Sequence, residues 1–100
     1  MRAILVDDEE MLLREMERLL ASYPDLEIAG SYTDPMEALR EIESTRPELA
    51  FLDIEMRTLS GLELAERLLQ RNPDLNVLFV TAYNQYAVEA FEINAIDYIL

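Results

Sequence analysis

One hundred residues, 51% hydrophobic and 29% charged, suffice for one globular domain with its own core. The chain has no cysteine and no histidine, which excludes disulfide scaffolds, thiol nucleophiles, histidine general bases and most zinc chemistry. The net charge is −13 and all eight cationic residues are arginine, so direct binding of a nucleic-acid backbone by this segment is not expected.

In chain order, RAILVD (2–7) is a short β-rich run. Residues 9–21 then place Met11, Leu12, Met16, Leu19 and Leu20 at helical spacing, with charges at 14, 15, 17 and 18 on the other side. LEIAGSY (26–32) alternates as a strand does. Asp34-Pro35 offers an N-cap and a first-turn proline, with Glu37 in the capping-box place, and opens a helix to about Ser44 with Ala38, Leu39 and Ile42 inward. Leu49–Asp53 reads as a strand buried on both faces. Ser60-Gly61-Leu62-Glu63 is another capping box and opens a helix to about Arg71 that Asn72-Pro73 ends. NVLFVT (76–81) is a buried strand. Asn84 can cap a short helix over 85–92, with Ala87, Val88 and Phe91 on one side, and DYIL (97–100) begins a fifth strand. No apolar stretch approaches the roughly 20 residues of a membrane span. The N-terminal MRAILVDDEE turns acidic too early for a signal peptide, so the chain reads as cytoplasmic.

Strands alternating with helices at this spacing predict an α/β domain with a parallel sheet covered on both faces. DDEE stands where a dinucleotide-binding fold would have a glycine-rich turn, which argues against a backbone phosphate cradle. The first strand ends LVDDEE, the third FLD and the fourth FVTAY. If the strand order is 2-1-3-4-5, Asp7, Asp8, Asp53 and Thr81 meet at one rim of the sheet, where such folds bind ligands.

Two carboxylates about 5 Å apart repel by roughly 3 kcal/mol at an effective dielectric of about 20. Protonation, a neighbouring cation or a hard metal ion relieves such a cluster. Oxygen ligands suit Mg²⁺, Mn²⁺ or Ca²⁺, and Mg²⁺ keeps room for phosphate oxygens. A carboxylate beside such an ion can act as the nucleophile of phosphoryl transfer. Each piece has a plainer use on its own. Asp7-Asp8-Glu9-Glu10 serves equally as an N-cap with an acidic first turn. Asp53 serves as a turn residue, and Thr81 as a strand end. Their joint placement on three strand ends favours the functional reading.

ILVDDEE, LAFLDIEMRTLSGLEL, VLFVTAY and AFEINAIDYIL, taken in order, resemble the motifs of a bacterial response-regulator receiver domain over essentially residues 1–100. The resemblance implies a flavodoxin-like, doubly wound, five-stranded sheet of order 2-1-3-4-5. It makes Asp53 the phosphoacceptor and Thr81 the hydroxyl that moves toward the phosphoryl group. Tyr98 becomes the aromatic switch residue; read alone, it is a structural tyrosine. Asp7, Asp8, Asp53 and the backbone carbonyl of Glu55 are the implied ligands of Mg²⁺, for which Mn²⁺ or Ca²⁺ can substitute. Ala82 is small, as the family prefers beside the site, and Glu55 and Tyr83 stand where its members vary. A sensor histidine kinase is the implied phosphodonor. The 84–100 face is the implied signalling surface, acting through a homodimer or a C-terminal output domain. AFEINAIDYIL looks most like receivers attached to LytTR-type transcriptional domains. Such a domain at most assists its own phosphorylation and dephosphorylation and is not a dedicated enzyme.

Two features depart from the pattern. Arg57 stands where the family usually has proline, which either loosens the loop after Asp53 or brings a cation near the phosphoryl group. The family's lysine, a proline and the last helix would follow Leu100, so the chain reads as a receiver without its last helix, a fragment of a longer regulator with part of one sheet face uncovered. Two other functions fit the acidic rim. One is a metal-dependent phosphohydrolase with an aspartyl nucleophile, although no cap insertion follows Asp53. The other is an interaction module independent of phosphorylation.

Overall fold

Short apolar runs with no polar alternation can only be strands if both of their faces are covered, and in the computed structural model residues 3–6 and 50–52 are buried on both faces while Leu78 and Val80 stay half-buried. It describes residues 1–80 and, by their backbone, 97–99. The elements are β1 (Arg2–Val6), α1 (Glu10–Leu20), β2 (Glu27–Tyr32), α2 (Pro35–Thr45), β3 (Leu49–Leu52), α3 (Gly61–Arg71), β4 (Asn76–Val80) and β5 (Asp97–Ile99). All strand pairs are parallel, in the order β2-β1-β3-β4-β5. The predicted doubly wound, flavodoxin-like topology is therefore borne out. Thr81, Ala82, Tyr83 and the 85–92 helix expected from the sequence, with its cap Asn84, lie outside the described residues, as does the side chain of Tyr98.

Period two along β1 sends Ile4 and Val6 to one face and Ala3 and Leu5 to the other. Ile4 and Val6 join the larger core, closed by Ala38, Leu39 and Ile42 of α2 and by Leu64, Ala65 and Leu68 of α3. Ala3 and Leu5 meet Leu13 of α1 and Phe51 of β3 in a smaller cluster. The caps read at Asp34 and Ser60 form. Asp34 Oδ1 accepts the Met36 N–H at 3.0 Å, rather than the N–H of Glu37, and Ser60 Oγ accepts the Glu63 N–H at 3.2 Å.

The inward face of α1 differs from the one the spacing predicted. Leu13, absent from the predicted set, is the buried residue, with Met16 and Leu20 packed partly against the same cluster. Met11, Leu12 and Leu19 are exposed, Met11 at 85%. The helix rests on β1 and β2. One narrow stripe spaced i, i+3, i+7 is then covered, and the flanking apolar residues stay outside it.

Candidate functional site

The register of β1 and β3 builds the site. Val6 is paired with Leu52, so the next residue on each strand is an aspartate. Asp53 extends the ladder by one bond, its N–H donating to Val6 O at 3.0 Å. On the other side of β1, the Asp7 N–H donates to Tyr32 O at 3.1 Å, which ties it to the end of β2. Both backbones are pinned by strands whose apolar side chains lie in the core. Ile54, 1% exposed, anchors the chain immediately after Asp53. The loop then returns to α3, where the Gly61 N–H donates to Ile54 O at 2.7 Å. Gly61 is required there. A Cβ would overlap the backbone carbonyl oxygen of Asp53, so only glycine lets the helix start approach the strand end this closely.

One carboxylate oxygen from each of Asp7, Asp8 and Asp53 lies within 4.8 Å of the other two. Asp7 is 4% exposed. Burial pushes its carboxyl above the usual range. The Glu9 N–H, donating to Oδ1 at 2.9 Å, opposes that shift, and the charges of Glu9 and Asp8 add to it. That bond also turns the chain into α1, whose N-cap, Glu9, makes no side-chain cap of its own. The plain use of the acidic run as a helix start and its use in the cluster thus coexist. Asp53 is pushed up to about 7, first by burial and then by the charge of Asp7. Asp8 and Glu9 add smaller effects, and the backbone N–H of Ile54 opposes them. An acid with such a shift, in a cluster with two others at a strand end, makes this rim the candidate site.

Asp8 is held differently. Its Oδ2 accepts the Arg57 backbone N–H at 3.0 Å and Arg57 Nε at 3.3 Å. Arg57, for which the sequence left open a looser loop or a cation near the site, reaches the acidic cluster itself. No signal in the sequence assigned it to Asp8. Three hard oxygen donors converging at this spacing fit a hard divalent cation and suit no soft metal. An apolar hollow lined by Met1, Leu20, Tyr23, Pro24, Leu26 and Phe51 contains none of the three acids.

Residues 3–100 match the family model of the response regulator receiver domain. The chain belongs to that family. Receivers are phosphorylation-based signalling domains of two-component systems rather than catalytic ones. This receiver is 48% identical over 99 residues to an uncharacterized response regulatory protein of Vibrio cholerae, covering 98% of this chain and 38% of that protein. It is 42% identical over 101 residues to the sensory transduction protein LytT of Bacillus cereus, covering 100% of this chain and 41% of LytT. The chain thus spans about two fifths of the length of these relatives. Among solved structures, it is similar to the response regulatory domain of mrkE from Klebsiella pneumoniae, with a TM-score of 0.91 and 36% identity over 100% of this chain and 82% of that one. It is also similar to TrrA of Thermotoga maritima, solved in complex with Mg²⁺-BeF, with a TM-score of 0.87 and 30% identity over 99% of this chain and 84% of that one. No helix among the described residues is long and apolar enough to cross a membrane.

Proposed function

We propose that residues 1–100 form a receiver domain in which Asp53 accepts a phosphoryl group from a sensor histidine kinase. The observation that carries this reading is the convergence of the Asp7, Asp8 and Asp53 carboxylates within 4.8 Å at the carboxyl ends of two adjacent parallel strands. Asp7, Asp8, Asp53 and the carbonyl of Glu55 would hold Mg²⁺, with Mn²⁺ or Ca²⁺ as substitutes. The similarity to TrrA, solved with Mg²⁺-BeF, supports that choice. Bound there, the ion supplies charge neutralisation for the acids and for the incoming phosphoryl oxygens.

The protein's own groups do the rest. Asp53, fixed by its bond to Val6 O and by buried Ile54, presents a carboxylate oxygen as nucleophile. That oxygen forms a bond to phosphorus as the donor's phosphorus–nitrogen bond breaks, leaving an acyl phosphate on Asp53 and a proton for the departing imidazole from solvent. Thr81 follows β4, which pairs with β3, and would donate its hydroxyl to a phosphoryl oxygen. Tyr98, on β5, would change position with it and shift the 84–100 face between two populations. In a cytoplasmic parent protein, that face would control a homodimer or a C-terminal output domain of the LytTR transcriptional kind.

Incubation with a small phosphodonor and Mg²⁺ is expected to label the wild type as an acyl phosphate and to leave Asp53→Ala unlabelled. Equal labelling of the variant would remove Asp53 from this role. Catalytic turnover of a phosphoester in place of a stable acyl phosphate would instead indicate a phosphohydrolase.

A further inference from the structure

Arg57 makes a contact that the phosphoacceptor reading leaves unused. Among the described residues, its guanidinium is the one cation in an ion pair with any of the three clustered acids. Two donors of this residue, the backbone N–H at 3.0 Å and Nε at 3.3 Å, converge on one oxygen, Oδ2 of Asp8. The two ends of the pair are placed very differently. The Asp8 side chain is 15% exposed, whereas that of Arg57 is 88% exposed. The carboxylate is thus built into the rim, while the guanidinium leans on it from water.

We propose that Arg57 is a built-in competitor for the divalent cation, holding Asp8 while the metal is away and leaving Oδ2 when it binds. The inference rests on the reading of the rim as a Mg²⁺ site. Mg²⁺ sits about 2.1 Å from its oxygen ligands and demands near-octahedral geometry. An ion at that distance from Oδ2 would face a guanidinium nitrogen bonded to the same oxygen, and two cations so close repel. The side chain can leave easily, because it is solvated along most of its length and, among the described residues, no other bond of its guanidinium would break with it. The backbone N–H need not leave, so Asp8 keeps its orientation when the guanidinium departs. The competitor therefore lowers metal affinity without loosening the ligand.

A purely supporting role predicts the opposite sign. If Arg57 only held Asp8 in place, its removal would weaken metal binding. Titration calorimetry of the full chain with MgCl₂ at low ionic strength separates the two. Arg57→Ala is expected to bind Mg²⁺ roughly two- to fivefold more tightly than wild type, the range of an exposed ion pair. Arg18→Ala, in the last turn of α1, makes the same change in net charge far from the rim and is expected to leave the affinity unchanged. Unchanged or weaker binding by Arg57→Ala, or an equal gain in Arg18→Ala, would overturn the proposal. Asp8→Asn tests the underlying reading separately. It is expected to abolish tight binding, and wild-type affinity in that variant would overturn the metal site and the role of Arg57 with it. A second readout is the NMR signal of Arg57 Nε–H, identified by its loss in Arg57→Ala. It should move along the same Mg²⁺ isotherm as the Asp8 backbone amide. A signal that stays in place while the amide shifts would show that Arg57 is not displaced, against the proposal.

Discussion

Along their length, β1 and β3 carry Ile4, Val6, Ala50 and Leu52, all at 0% exposure; one residue beyond their ends they carry Asp7 and Asp53. The same register that seats four apolar side chains in the core puts two acids next to each other. Burial of the first set drives folding. Burial of the second opposes it, because it desolvates carboxylates that also repel one another. The contrast shows that the apolar residues of the strands hold together a rim whose own charges oppose its assembly.

The largest effect should come from breaking the stabilising side. Leu52→Ala removes a fully buried side chain of the larger core, immediately before Asp53, and should lower stability by about 3 kcal/mol, measured by urea denaturation. The loss should be similar at pH 5 and pH 8, since no titrating group is touched.

Gly61→Ala tests the join between core and rim. The new Cβ meets the Asp53 carbonyl, which is backbone and cannot rotate away. A loss of about 2 kcal/mol is expected, with slower acyl-phosphate labelling because Asp53 itself must shift. Normal labelling in a destabilised variant would show that the loop yields without moving the acid.

The smallest effect, and the one of opposite sign, belongs to Asp53→Asn in metal-free protein. The folded-state value of about 7 exceeds the ordinary 3.8, so between these pH values the folded state binds more protons than the unfolded one. Stability from this group is then fully present below about pH 4 and lost as the pH rises through about 7. Asparagine does not titrate. The variant should therefore gain on wild type across that window, by on the order of 1 to 2 kcal/mol at pH 8 once solvent screening of this half-buried group is allowed for. Parallel stability profiles for the two proteins would show that the rim is not strained.

Much of this was legible in residue order. The caps at Asp34 and Ser60 use short-range chemistry that a four-residue window contains, and both form. The buried strands were legible because an apolar run of four or five residues without alternation has few other uses. The face of α1 was not. Its apolar residues wind around most of the helix, and which of them are covered depends on where the helix rests; Leu13 is covered and Leu12 and Leu19 are not. The candidate site divides in the same way. Asp7, Asp8 and Asp53 stood out as acids at the ends of apolar runs, but their meeting was conditional on a strand order that local pattern does not carry. Arg57 stood out as a departure, yet nothing near it in sequence pointed across 49 residues to Asp8.

The sequence by itself determined the order of the described elements, the strand ends that carry the acids and the absence of thiol and imidazole side chains, because these depend on residue type and on spacing within a few residues. Only the tertiary structure decided that β1 and β3 are neighbours, that three carboxylates lie within 4.8 Å, and that the cation beside them is Arg57. Those facts depend on pairings between distant segments, and such pairings are chosen by burial of the whole sheet rather than by any residue at the site.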